Sequence, residues 1–250
     1  MNIQTYDLQT SLDRLYKALS ENSKVYYSRY GDAELNFMYG VRTKSLNHDG
    51  SLQLQKDLID AFIIEDPNYI KAVMVNDQIF DGIRMKYPEN SVANDIAVGF
   101  IEKFYADSRE EVFYDSHSLL TYLAIAAQDV MVNFLDTFIR PKKKLFIGSV
   151  DKSLIEKLIG NIDYYINVPD FNAYYSMDVW WNDVLSIVDD VELVLPTAGP
   201  AGNVVCGRLW DLNKNVHCIE LGSVVDAAVG LTSRSTWHRA EGKVNNVLLK

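Results

Sequence analysis

Two carboxylates, Asp32 and Glu34, stand two residues apart directly after Gly31. The residues before them, Val25-Tyr26-Tyr27-Ser28-Arg29-Tyr30, are β-branched and aromatic and are bounded by Asn22-Ser23 and Gly31, which predicts a short buried strand. If the chain stays extended past Gly31, side chains alternate and both carboxylates project to one side, where a single hard cation touches both. Mg²⁺ or Mn²⁺ takes one or two carboxylates and completes its shell with water and substrate phosphates, so the pair suits a cation seated against a diphosphate. Arg29 adds a fixed positive charge if it faces the same cleft. The same spacing also describes an ordinary helix start, with Asp as cap and Glu at the positive end of the dipole.

A second stretch with binding chemistry is Pro196-Thr197-Ala198-Gly199-Pro200-Ala201-Gly202. Two glycines and two prolines directly before a helix let the backbone approach a ligand while the helix's unpaired amides point at it, an arrangement that takes phosphate. It is not the dinucleotide fingerprint, because the first glycine of G-x-G-x-x-G is missing, and no P-loop Lys-Ser/Thr follows. His117 lies at the exit of a predicted strand, away from the apolar stripe of the helix behind it.

Ser28-Arg29-Tyr30-Gly31-Asp32-Ala33-Glu34 resembles the signature of the GT-D-fold glycosyltransferases, usually Arg-Phe-Gly-Asp-Gly-Glu near the N-terminus. The resemblance returns near the C-terminus in the 196–202 loop, the helix behind it, and Glu220-Leu221-Gly222-Ser223-Val224-Val225-Asp226. It implies a bacterial, metal-dependent enzyme that transfers a hexose, typically glucose, from a UDP-sugar to a glycan, glycoprotein or lipid-linked acceptor. It implies that Asp32 and Glu34 hold Mn²⁺ or Mg²⁺, and that Arg29, Tyr30, Gly31, Thr197, Ala198, Gly199, Gly202 and Asn203 contact the donor. Asp226, after the family's Leu/Ile-Gly segment, is the first candidate for the base that takes the acceptor proton, and His117 the second. Ala33 departs from the usual glycine. The middle of the chain, about 36 to 140, carries no part of the resemblance, so the acceptor side is not covered by it.

Two further readings compete. A non-catalytic nucleotide-sugar or carbohydrate-binding protein on the same scaffold would bind without turnover. A Rossmann-like methyltransferase is disfavoured because the first strand ends in acids where such enzymes carry a glycine-rich cofactor loop.

The elements that must position these residues follow from periodicity. Leu8, Leu12, Leu15, Tyr16 and Leu19 mark a first helix ending at Asn22-Ser23, and Leu54 to Ile63 a second one capped near 49–51. Strands are expected at 70–76 and 111–114, with a helix at 92–104 between them and one long helix behind 115–118 that reaches Phe138. From Lys144 the alternation is regular: strands 144–148, 164–168, 191–195 and 216–221, separated by helices from Asp151 to Gly160, at about 177–188 and at about 201–212. Strands spaced by helices of this length are βαβ units. The expectation is a single α/β domain over 1–250, a Rossmann-like, mostly parallel sheet with helices on both faces and a helical insertion at about 80–140. Trp180 and Trp181 read as core or sugar platform, and Trp237-His238-Arg239 as a tail able to close over the donor.

Composition sets bounds on partners. With 24 basic and 34 acidic residues the net charge is −10, which argues against nucleic acid. The one basic run, Arg140 with Lys142 to Lys144, reads as a solvated helix end. Cys206 and Cys218 read as free core thiols of a reducing compartment. No stretch approaches the roughly 18 apolar residues of a membrane span and no leader pattern opens the chain, so the expected location is the cytoplasm. The sequence leaves both a monomer and a homo-oligomer open.

Overall fold

The structure is a computed structural model that describes residues 2–40, 48–75, 79–80, 83–84, 98–99, 101–103, 111–230 and 248. Its strands are β1 (Asn2–Thr5), β2 (Tyr26–Tyr30), β3 (Tyr69–Val73), β4 (Ile79–Phe80), β5 (Ile83–Arg84), β6 (Glu111–Ser116), β7 (Lys144–Gly148), β8 (Tyr164–Asn167), β9 (Leu193–Pro196) and β10 (His217–Ile219). Eight of them form one sheet in the order β1-β6-β3-β2-β10-β9-β7-β8, and β4 and β5 make a separate antiparallel hairpin. Every pairing in the large sheet is parallel.

The helices are α1 (Leu8–Glu21), α2 (Asp32–Tyr39), α3 (Leu52–Phe62), α4 (Leu119–Ala126), α5 (Gln128–Phe134), α6 (Lys152–Ile159), α7 (Met177–Ile187), α8 (Pro200–Asp211) and α9 (Val224–Ala228). They divide between two cores, one on each face of the sheet. Tyr26 and Tyr30 of β2 point into the core under α2, α3, α7 and α8. Val25 and Tyr27 alternate into the core under α1, α4, α5, α6 and α9. Connections that move toward β8 cross the second face, and those that move toward β1 cross the first, as right-handed crossovers require.

Several expectations hold closely. α1 ends at Glu21 before Asn22-Ser23, Ser51 caps α3, Asp151 caps α6 and Gly160 ends it with φ 77°. Trp180 is core, while Trp181 is partly buried with Arg208 over its ring at 5.5 Å. Cys206 and Cys218 are free, fully buried and 3.4 Å apart sulfur to sulfur.

Other expectations are corrected. The first element is a strand, β1, paired along β6 at the sheet edge. The single long helix behind 115–118 is two helices bent by 120°, because Ala127 (φ −135°, ψ 56°) leaves helical geometry. Within the stretch expected as a helical insertion, β6 belongs to the main sheet, and α4 and α5 form its crossover to β7. The basic run is not a solvated helix end. Lys144 is fully buried with Nζ on the carbonyls of Arg140 and Asn161, Arg140 pairs Asp136, and Lys142 pairs Glu192. Residues 98–99 and 101–103 are helical as expected, and the rest of that predicted helix lies outside the described residues. Among the described residues no single helix is long and apolar enough to cross a membrane.

Candidate active site at the β2 and β10 exits

The two motifs meet at one crevice. β2 and β10 are neighbours, yet β2 leads into α2 on one face and β10 into α9 on the other. Beyond the carboxyl ends of such a pair no crossover covers the sheet, and ligands of open α/β sheets bind there.

The floor of this crevice is a buried polar network. The Glu220 amide donates to the Tyr27 carbonyl at 3.0 Å as the last rung between the two strands. At the next position the Arg29 amide donates to Oε2 of Glu220 at 2.9 Å, so a side chain replaces the backbone acceptor where the strands part. From the other side Asn203, fully buried near the start of α8, donates Nδ2 to the Arg29 carbonyl at 2.7 Å and to Ser28 Oγ at 3.0 Å. The Arg29 guanidinium donates Nη1 to the Leu221 carbonyl and Nη2 to the His117 carbonyl, each at 3.1 Å. Its Nε, buried like the rest of the side chain, has no hydrogen-bond partner among the described residues, and no carboxylate there lies within ion-pair distance of it.

Two glycines make this approach possible. Gly222 has φ 61°, and a Cβ there would fall 2.0 Å from Arg29 Nη1. At Gly31 a Cβ would meet His117 Nε2 at 3.1 Å and Glu34 Oε2 at 3.2 Å, so the imidazole and the carboxylate converge on the same bare backbone.

The carboxylate pair itself is arranged differently from the extended expectation. Asp32 and Glu34 occupy the first and third positions of α2, which places them about 200° apart around the helix axis. Glu34 is buried and accepts the Gly31 amide at 2.9 Å, satisfying one of the four amides a helix start leaves unpaired. Asp32 is half-buried and has no hydrogen-bond or ion-pair partner among the described residues. Of the two, it is the one whose oxygens are uncommitted.

The opposite wall is the 196–202 loop. Thr197 is anchored to the end of β7, its amide and its Oγ1 both on the Ile147 carbonyl at 2.8 and 3.2 Å. Ala198 is buried. Gly199 stands at φ 57°, ψ −139°, a region open to glycine alone, and His48 lies against it, with Nε2 2.3 Å from where a Cβ would be. Gly202 donates back to the Gly199 carbonyl at 2.8 Å. Pro200 opens α8 without an N–H, no side chain caps the helix among the described residues, and Pro200 to Asn203 are all buried. This helix start is buried and uncapped, has no acid in its first turn, and leaves the Ala201 amide as its donor for an anion.

No family model matches the chain, and no curated protein matches it. Solved structures do. The chain is similar to "a new glycosyltransferase (DUF1792) from Streptococcus sanguinis", with 20% identity over 90% of this chain and 83% of that one at a TM-score of 0.61. It is similar at TM-score 0.61 and 19% identity to another domain of unknown function 1792, over 90% of this chain and 80% of that one. A third, a domain of unknown function 1792 described as having a distinct glycosyltransferase fold, matches at TM-score 0.59 and 18% identity over 88% and 78%. The chain has the fold of the DUF1792 domains. The resemblance read from the two motifs therefore holds at the level of the fold, with both motifs at one crevice.

Placed on this DUF1792 fold, the remaining candidates separate. Tyr30 is fully buried and packs edge-to-face on Phe62 at 4.9 Å, so its ring is core and does not face the crevice. Asp226 sits half-buried in the first turn of α9, just past the β10 exit. Asp115 pairs with Arg14 at 3.1 Å; burial raises its pKa, opposed by that guanidinium. Trp237-His238-Arg239 lies outside the described residues. A cavity of about 180 Å³ beside Arg14, Lys71 and Asp115 includes none of the crevice residues. Glu220 is the site residue that sequence reading passed over, since a single acid at a strand end gives no sign that it will replace a rung of the ladder.

The fit to a divalent cation is partial. Among the described residues no group of three or more His, Cys, Asp or Glu side chains forms a metal cage. One uncommitted carboxylate, Asp32, beside a second one already engaged fits Mg²⁺ or Mn²⁺ only when phosphate oxygens supply further ligands.

Proposed function

We propose that this chain is a glycosyltransferase that moves a hexose from a UDP-sugar to a hydroxyl of a glycan, glycoprotein or lipid-linked acceptor. The observation that carries the reading is the crevice between β2 and β10, with the uncapped start of α8 on one wall and Asp32 on the other. The similarity to DUF1792 glycosyltransferases supports it.

In this reading the Ala201 amide at the start of α8 receives the donor diphosphate, and Gly199 and Gly202 allow its close approach. Arg29, a buried cation with no paired carboxylate among the described residues, adds positive potential below the site. Asp32, with Glu34 behind it, would hold Mn²⁺ or Mg²⁺, which when bound supplies charge stabilisation to the leaving diphosphate. In an inverting transfer the acceptor oxygen bonds to the anomeric carbon as the bond to the β-phosphate oxygen breaks. UDP leaves with that electron pair, and the acceptor's proton passes to a base. His117, which converges with Glu34 on Gly31, is the base we favour; Asp226 on the β10 side is the second.

Calorimetric titration of UDP-glucose with and without Mn²⁺, together with detection of released UDP, tests the proposal. Mn²⁺-strengthened binding and UDP release support it. Binding without any turnover, with or without acceptor, favours the non-catalytic reading, and absence of nucleotide binding rejects both.

A further inference from the structure

Arg29 stands where a donor-binding arginine is expected, yet its two terminal nitrogens are already spent on backbone carbonyls of this chain. Those carbonyls belong to the exits of β10 and β6, three strand positions apart and so about 14 Å apart within the sheet. One guanidinium, reaching past the end of β3, bonds to both exits. Arg29 follows Tyr27 by two residues and so projects to the same face, where α4 behind His117 and α9 behind Leu221 both pack.

We infer that Arg29 is a positioning residue: its planar fork ties Leu221 to His117 and thereby holds the His117 imidazole beside Gly31 and Glu34, without touching the sugar donor. Three features support this. The fork geometry is met at both terminal nitrogens, which an ammonium on a single stem cannot reproduce. Gly222, at φ 61°, leaves room for Nη1 at the Leu221 carbonyl, since a Cβ there would fall 2.0 Å from that nitrogen. The backbone of Arg29 is held on both sides, its amide by Glu220 and its carbonyl by Asn203, so the side chain starts from a fixed point. The consequence for turnover rests on the reading of the crevice as a donor site; the clamp itself does not.

The test compares Arg29→Lys with the wild type by UDP calorimetry, UDP release from UDP-glucose, and amide hydrogen exchange. Lysine keeps the charge and loses the fork. The expected result is unchanged UDP affinity, turnover lower by about a hundredfold as for a misplaced catalytic group, and faster exchange at 117–120 and 221–225 together. Should Arg29→Lys fail to fold, Gly222→Ala, which drives a Cβ into Nη1, gives the same three readings. UDP affinity weakened by about tenfold or more, or full turnover with a lysine, overturns the inference. If the wild type binds no nucleotide, the functional reading fails on its own, and exchange still decides: coupled loss of protection in both segments supports the clamp, and unchanged protection rejects it.

Discussion

The carboxylate of Glu220 accepts the backbone amide of Arg29 at 2.9 Å, at the position where the next rung between β2 and β10 would fall. The strands separate at their carboxyl ends, and a buried acid keeps the freed amide satisfied. Glu220→Ala leaves that amide unpaired and is expected to cost about 1–3 kcal/mol. Glu220→Gln keeps an acceptor oxygen and should lose much less. Urea unfolding of the two variants measures the difference.

Asp32 and Glu34 are expected to behave differently although both belong to one motif. Asp32→Ala should leave the unfolding midpoint unchanged and abolish the Mn²⁺-dependent part of UDP binding, because its carboxylate is uncommitted among the described residues. Glu34→Ala should lose that binding too and in addition destabilise the protein by about 1 kcal/mol, since it removes the partner of the Gly31 amide. Calorimetry and thermal unfolding on the same preparations separate the two effects.

Gly199→Ala is expected to be costly for two reasons, the backbone region it occupies and the His48 ring in its path. The backbone part alone is of order 1–3 kcal/mol. Adding His48→Ala relieves the contact and leaves the strain, so the double variant should recover part of the loss. A double-mutant cycle on urea midpoints reads this directly, and full recovery would show that the backbone is not strained.

His217, at the start of β10, is buried, and burial together with the charge of Lys142 holds its pKa below the ordinary 6.5, against the pull of Glu192. A folded-state value below the unfolded one means that the neutral ring is favoured in the fold. The stability it contributes is present in full above pH 6.5 and is lost as pH falls through the folded value. His217→Asn should therefore flatten the acid-side decline of Tm below 6.5. An unchanged slope would mean that the ring is already solvated.

The stretch from Lys144 to Leu221 was legible because apolar strands alternate there with helix-length segments, some with clear boundary signals, such as Asp151 before α6 and Gly160 after it. β1 gave no such signal. Asn2–Thr5 is four residues long and is a strand only because β6 lies beside it. α2 stayed ambiguous because Ala33, Leu35, Phe37 and Met38 are buried nearly all round, leaving little periodicity, while Asp-x-Glu fits either an extended chain or a helix start. The two acids and the glycine-proline loop were visible as separate motifs. The network beneath them was not, since Glu220 and His117 lie 191 and 88 residues from Arg29 in sequence and meet it only through the sheet.

Asn203 grips the end of β2 from the first turn of α8, joining the wall made by the 196–202 loop to the strand that leads into Asp32. Two occupants of such a crevice cannot be indifferent to one another. Whatever factor a cation on the Asp32 side adds to nucleotide affinity, the nucleotide returns to the cation, because thermodynamic reciprocity leaves no other choice. Cutting that one amide, as in Asn203→Ala, would make the two halves strangers.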